Sequence, residues 1–262
     1  MHSIVTYDNS MLQIKSKEHF LSTGCSKLDK FLRGGLLNKG ITQIYGESGT
    51  GKTQLALQLC LTAQIKNDSS NYLYGAAYIC TEAAFPSNRL QQLFEKSPIA
   101  KKHLISNEMI FIEHVSSTED LEHCISSPER LPQLLSKYKI KLIVIDSIAS
   151  TYRVEYESDN LKNRAKSLRN LGYHLHKLAN KYDITVVCIN QITAIIHKTP
   201  VEHISAKEKP SLGITWANMI TNSLHMYRKN NRRYLYSEGS TYMPHQTIEF
   251  EISGSGVEAI DD

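Results

Sequence analysis

The residues best suited to chemistry form one short stretch, GESGTGKT at residues 46–53. It matches the pattern G-x-x-x-x-G-K-[S/T], in which glycines let backbone N–H groups wrap around a phosphate chain. Lys52 is predicted to reach the β- and γ-phosphates of a nucleotide, and the Thr53 hydroxyl to ligate Mg²⁺. The predicted nucleoside triphosphate-binding set is Gly46, Glu47, Ser48, Gly49, Thr50, Gly51, Lys52 and Thr53.

The flanks of this stretch have the patterns that such a loop needs. Residues 41–45 are typical of a short buried strand, and residues 54–61 of an apolar helix. The start of that helix would add its partial positive charge to the phosphate site. This strand–loop–helix context distinguishes a phosphate-binding loop from an ordinary glycine-rich turn.

Three polar side chains follow other predicted strands, where ligands bind in an open parallel sheet. Asp146 is expected to hold Mg²⁺ through water, with the cap of the next turn as the alternative. Glu82 suits the activation of water for hydrolysis, but it equally suits a cap for the helix near Pro86. Gln191 could bind the γ-phosphate or be an ordinary strand-end amide, and the sequence leaves both open.

The elements that must position these residues have a consistent pattern. Continuous apolar runs predict central parallel strands at 41–45, 76–81, 109–113, 141–145 and 185–189. A helix is predicted over 160–182, where apolar residues recur every three or four positions. A hairpin around Asn230-Asn231 and an alternating edge strand at 247–252 predict an antiparallel extension. The fold class is therefore α/β, a mainly parallel sheet flanked by helices.

Two segments are expected to be loops beside the site. Residues 152–156 place Arg153 between Tyr152 and Tyr156, a combination suited to phosphate contact and base stacking. Residues 193–212 show neither helical nor strand periodicity and begin two residues after Gln191. A γ-phosphate contact could therefore be linked to the order of this second loop.

Composition limits the classes of protein that fit. The chain has 262 residues, 41% of them hydrophobic, which suits one α/β domain. The net charge of +4 permits an anionic partner. Five cysteines without a C-x-x-C pair indicate buried thiols in a reducing compartment. No window approaches a membrane span, so we expect a soluble protein of the nucleus or cytosol without a membrane partner.

Several of these strings together resemble a known family. The loop at 46–53, the strand ends at Glu82 and Asp146, Asn190-Gln191 and LGITWAN at 212–218 resemble the core of RecA-type recombinases. The match is to the eukaryotic strand-exchange recombinase and its paralogues, and it covers nearly everything from Leu21 onward. It implies a RecA-like P-loop NTPase core at 23–262. The family usually has a small helical DNA-binding domain before that core, and this chain departs from the pattern, since an arm at 1–22 is expected there instead.

The resemblance implies further residue roles. Glu82 would activate water, Gln191 would sense the γ-phosphate, and Arg89 would pack against adenine. Pro244 would belong to the segment that caps a neighbour's nucleotide. The two loops, here 152–160 and 193–212, would face DNA. The implied DNA-binding set is Tyr152, Arg153, Tyr156, Lys198, Lys207 and Lys209.

The function implied by the resemblance is that of a weakly hydrolysing, DNA-dependent ATPase acting in homologous recombination and double-strand break repair in the nucleus. ATP and Mg²⁺ would be its cofactors, and single-stranded or branched DNA its ligand. A sister paralogue would be its partner, and the strand-exchange recombinase a further one. A non-catalytic assembly partner is the main alternative. A small-molecule phosphotransferase is a weaker one, since no Arg-rich lid stands out.

Two departures from the family pattern favour a small hetero-complex over long filaments. The recombinase carries an F-x-x-A tether, and no phenylalanine in this chain is followed three residues later by alanine. The acid expected in the capping segment is not clearly present, because the nearest residues are Glu238 and Gly239.

Overall fold

The computed structural model describes residues 20–66, 72–155, 161–193, 209–240 and 242–260. Its strands are β1 (Phe20–Leu21), β2 (Leu36–Leu37), β3 (Ile41–Tyr45), β4 (Tyr74–Cys80), β5 (Ile110–His114), β6 (Lys139–Asp146), β7 (Thr185–Asn190), β8 (Ile192–Thr193), β9 (Lys209–Pro210), β10 (Asn222–Lys229), β11 (Arg232–Ser240), β12 (Thr247–Ile252) and β13 (Val257–Ala259). Its helices are α1 (Ser26–Phe31), α2 (Lys52–Thr62), α3 (Ser87–Lys96), α4 (Pro98–Lys102), α5 (Thr118–Ser126), α6 (Leu131–Lys137), α7 (Ile148–Glu155), α8 (Leu161–Tyr182) and α9 (Gly213–Ala217).

Within the described ranges, nine strands form the main sheet in the order β13-β12-β11-β10-β3-β7-β6-β4-β5. The pairs from β10 through β3, β7, β6 and β4 to β5 are all parallel. Every residue of β3 and β7 is buried, because α2 and α8 pack hydrophobic clusters against opposite faces of the sheet. The predicted fold class is confirmed.

The C-terminal strands form the predicted antiparallel extension. β10 and β11 pair around a turn in which Asn230 and Asn231 have φ values of 50° and 66°, the left-handed region that asparagine tolerates. The prediction that residues 247–252 form the sheet edge is wrong. The three-residue strand β13 pairs outside β12, with Ala259 opposite Phe250.

Two segments predicted as loops lie partly in regular structure. Residues 152–155 belong to α7 rather than to a loop, so that prediction is wrong. Part of 193–212 is ordered by pairing, since Ile192 lies opposite Pro210 and Thr193 opposite Lys209. In the described part of the chain, no helix is both long and apolar enough to cross a lipid bilayer.

Candidate nucleotide-binding site

The loop between β3 and α2 has a backbone that requires its glycines. Gly46, Gly49 and Gly51 have φ values of 150°, 75° and 116°, which residues with a Cβ rarely adopt. Gly51 immediately precedes Lys52, the first residue of the eleven-residue helix α2. The loop therefore leads directly into a helix N-terminus, where unpaired N–H groups favour an anion.

A cavity of about 850 Å³ opens beside this loop at the carboxyl ends of the parallel strands. The predicted phosphate, metal and catalytic side chains converge on it. Its lining includes Lys52, Thr53, Glu82, Asp146, Gln191 and Arg233. A nucleotide-sized space thus meets charged and polar groups supplied by five separate parts of the chain.

Lys52 folds back over its own loop. Its Nζ donates to the carbonyl oxygens of Gly46 at 2.8 Å and Glu47 at 2.6 Å. Burial lowers the pKa of Lys52, and the negative charges of Asp146, Glu47 and Glu82 partly oppose that shift. A desolvated ammonium in this position would gain from an anionic ligand, as its predicted phosphate role requires.

Asp146 receives hydrogen bonds from two side chains. Thr53 Oγ1 donates to Asp146 Oδ2 at 2.8 Å, and the Tyr78 hydroxyl donates to the same oxygen at 2.6 Å. Burial, with the nearby Asp146 charge, raises the pKa of Tyr78 and keeps the phenol a donor. A hydroxyl and a carboxylate at this distance fit a hydrated Mg²⁺. Tyr78 was missed by sequence reasoning, although a polar ring within an apolar strand could have indicated it.

Glu82 faces the end of β7. Its Oε2 accepts from Gln191 Nε2 at 2.8 Å, and Ser147 Oγ lies 3.5 Å away. Gln191 is itself held from the other side. Arg153 Nη1 donates to Gln191 Oε1, and Arg153 Nη2 donates to the Ile192 carbonyl at 3.0 Å. The carboxylate of Glu82 is therefore turned toward Gln191 rather than toward the start of α3.

The predicted DNA-contacting residues differ in their placement. Arg153 is exposed on α7, and Lys209 is exposed in β9. Tyr152 is fully buried, and its hydroxyl lies 2.8 Å from Ser167 Oγ. The prediction that Tyr152 stacks on a base is wrong, because helix α7 turns this residue into the core. Three others lie outside the described residues: Tyr156, Lys198 and Lys207.

Arg89 and Pro244 lie outside the cavity lining of this chain. Arg89 donates to Gln54 Oε1 at 2.6 Å and to the Ser253 carbonyl at 2.7 Å, so it ties α3 to α2 and to the turn after β12. Pro244 is exposed between β11 and β12. The packing of Arg89 on adenine and the capping role of Pro244 stay predictions.

Two lining residues come from strands far along the chain. Arg233 of β11 and Ile252 of β12 reach the cavity, and Arg233 shares the inward sheet face with Leu235. The Arg233 Nε is buried and has no hydrogen-bond partner among the described residues. The phosphate-loop pattern gives no signal for either residue. A basic residue at an inward position of an alternating strand was the available clue.

Comparison with known proteins gives a family match over nearly the whole chain. The Rad51 family model matches residues 15–260. DNA repair protein XRCC3 from Bos taurus is 41% identical over 208 residues, which cover 76% of this chain and 60% of the relative. The Mus musculus protein of that name is 42% identical over 214 residues, with the same coverage. The Arabidopsis thaliana XRCC3 homolog is 27% identical over 285 residues, covering 92% of this chain and 93% of the relative.

This chain therefore spans about 60% of the length of the two mammalian relatives. The matches confirm the resemblance to recombinase paralogues that the motifs indicate. The stretches at 51–61, 78–82, 111–115 and 213–218 also resemble X-ray repair cross-complementing protein 3, and the matches confirm that likeness.

Proposed function

The chain belongs to the Rad51 family, and from that premise we propose that it is an ATP-binding recombinase paralogue acting in homologous recombination and double-strand break repair. One observation carries the proposal: a single cavity brings together Lys52, the Thr53–Asp146 pair and the Glu82–Gln191 pair. These are the groups that phosphoryl chemistry on a nucleoside triphosphate needs.

Each group has a role in this proposal. Lys52 binds the β- and γ-phosphates, while the N–H groups of the 46–53 loop surround the phosphate chain. Thr53 and Asp146 hold Mg²⁺, which when bound neutralises charge on the phosphate oxygens. Glu82 orients the attacking water, and Gln191 donates to the terminal phosphate.

Single-stranded or branched DNA is the proposed macromolecular ligand. Exposed Arg153 and Lys209 lie beside the carboxyl ends of the parallel strands and suit contacts with phosphates. The names of the mammalian relatives, which are DNA repair proteins, support this assignment. A sister paralogue is the proposed partner in the nucleus, with the strand-exchange recombinase as a further one.

Calorimetry of nucleotide binding tests the first step. The chain, alone or with its sister paralogue, should bind ATP in the presence of Mg²⁺. Lys52→Ala should weaken binding by roughly 10- to 100-fold, since a hydrogen bond to a charged group contributes about 1.5–3 kcal/mol. Lys162→Ala is the matched control, because Lys162 is exposed on α8 outside the cavity lining. Absence of ATP uptake by the wild-type protein would overturn the proposal.

Salt dependence tests the DNA role. Contacts with several phosphates release counterions, so DNA affinity should fall by at least roughly tenfold between about 50 and 200 mM salt. A DNA affinity that does not change with salt concentration would overturn the proposed DNA role.

A nucleotide-locked assembly partner without catalysis is the second candidate. The bond from Gln191 Nε2 to Glu82 favours it, because that bond occupies the carboxylate that would orient water. Cellular repair in Glu82→Ala and Lys52→Ala variants discriminates the two. Repair that survives only the Glu82 change would identify nucleotide binding, not hydrolysis, as the required step.

A further inference from the structure

Besides its proposed contact with a nucleic acid, Arg153 bonds to two residues beside the cavity. We propose that Arg153 is a positioning residue that sets the orientation of the Gln191 side-chain amide, and so couples the terminal phosphate of a bound nucleotide to the segment after β7. This inference rests on the proposed function, since it assigns the control of that same site.

The guanidinium of Arg153 spans two consecutive residues. Nη1 donates to the Gln191 side-chain oxygen, and Nη2 donates to the Ile192 backbone carbonyl at 3.0 Å. A planar guanidinium holds its donors in a fixed fork, so these two bonds fix direction as well as distance. The late part of α7 is thereby joined to the end of β7 and the start of β8.

The chemistry of the three groups dictates how the amide of Gln191 points. A guanidinium only donates hydrogen bonds, and an ionised carboxylate only accepts them. An amide between the two must therefore turn Oε1 toward Arg153 and Nε2 toward Glu82, where the distance is 2.8 Å. The reverse orientation would set donor against donor and acceptor against acceptor. Arg153 thus determines that the NH₂ group of Gln191 faces the cavity.

This orientation matters for the recognition of a third phosphate. The terminal phosphate of ATP carries oxygen acceptors, and the NH₂ group of Gln191 is a side-chain donor on the β7 side of the cavity. A terminal phosphate that takes this donor removes it from Glu82. The same movement pulls on Arg153 and on Ile192, the first residue of β8, which pairs with β9. A diphosphate lacks the group that would start this exchange.

The preference for triphosphate over diphosphate, measured without DNA, tests the proposal. Dissociation constants for a non-hydrolysable ATP analogue and for ADP, both with Mg²⁺, give that preference. Arg153→Gln should lower it about five- to tenfold, in the range of ordinary coupling between sites. Arg153→Lys should restore part of it, because lysine keeps the charge but not the fork. Arg169→Gln, at an exposed arginine of α8 outside the cavity lining, should leave it unchanged.

A double-mutant cycle separates positioning from a general loss of structure. In a Gln191→Ala background, Arg153→Gln should cause no further change, because its effect passes through the missing amide. An undiminished preference in Arg153→Gln, or an equal loss in both backgrounds, would overturn the inference while leaving ATP binding intact. A wild-type protein that binds no nucleotide would overturn the proposed function and this inference with it. If Arg153→Gln fails to fold, Arg153→Lys carries the comparison, with a smaller loss of preference expected in the wild-type background and none in the Gln191→Ala background.

Discussion

Arg233 shows how much one side chain can add to a site assembled from distant parts of the chain. Arg233 on β11 lies opposite Phe250 on the neighbouring strand β12. Arg233 also shares its sheet face with Leu235, which is buried. A buried N–H without an acceptor lowers stability by about 1–3 kcal/mol. A nucleotide oxygen would satisfy that donor, so the Arg233 Nε is better explained by a ligand than by the core.

Arg233→Met should therefore weaken nucleotide binding roughly tenfold without lowering the melting temperature. The substitution removes a donor to the ligand, but it also removes the unpartnered Nε from the protein. Arg232→Met is the control at the neighbouring position. The Arg232 side chain is 67% exposed and pairs with Glu249 at 3.3 Å, a solvent-screened contact. Titration calorimetry and thermal melts check both variants, and equal effects on binding would contradict the assignment.

At the scale of elements, the phosphate loop is fixed by its contact with the neighbouring strand β10. A Cβ added at Gly46 would lie 1.9 Å from the Met226 carbonyl oxygen, a backbone atom that cannot rotate away. A Cβ added at Gly49 would meet nothing within 4 Å, although its φ of 75° is also left-handed. Gly46 is therefore required because a side chain would clash with β10, whereas Gly49 is required only for its backbone conformation.

Gly46→Ala should lower the free energy of unfolding by about 3 kcal/mol or more and abolish ATP binding, because β3 and β10 must move apart. Gly49→Ala should cost only about 1–2 kcal/mol, the penalty for a left-handed residue with a Cβ. Urea denaturation followed by circular dichroism measures both. Equal destabilisation by the two substitutions would show that backbone conformation alone, rather than contact with β10, fixes the loop.

The elements that sequence could predict are those with strong local patterns. The buried runs at 41–45 and 185–189 became β3 and β7 with ends correct to a residue, because strands covered on both faces are continuously apolar. Helix α7 and strand β13 escaped prediction, since each is short and is defined by its tertiary partners. Arg233 escaped for a similar reason. Its place in the cavity follows from the order of strands in the sheet, which no local spacing encodes.

At the scale of the whole molecule, the sheet separates two hydrophobic clusters, and each contains two cysteines. Cys60 and Cys80 lie in the cluster around α2, and Cys124 and Cys188 lie in the cluster around α8. These four thiols are buried and unbonded to one another, whereas Cys25 is partly exposed. The expectation of buried thiols is confirmed for these four residues. Packing on both faces of the sheet therefore keeps these four thiols away from solvent.

The buried thiols make the free energy of unfolding depend on pH in the alkaline range. Burial raises the pKa of the Cys60, Cys124 and Cys188 thiols, and burial with the charge of Asp146 raises that of Cys80 from 9.0 to about 11. The folded state keeps protons that the unfolded chain releases first. Their stabilising contribution is therefore complete below about pH 9 and declines as pH rises toward the folded-state pKa values.

Urea denaturation between pH 8 and 10 should show a falling free energy of unfolding, by up to about 1.4 kcal/mol per pH unit for each ionising thiol. Cys188→Ala should reduce the dependence of the free energy of unfolding on pH. The substitution removes one ionisable thiol, which is buried in the centre of β7. In a native protein at pH 8, Ellman's reagent should modify Cys25 first and the four buried thiols only as the protein unfolds. Rapid modification of all five cysteines in the folded protein would show that the two clusters open to solvent, and the pH slope would then have another origin.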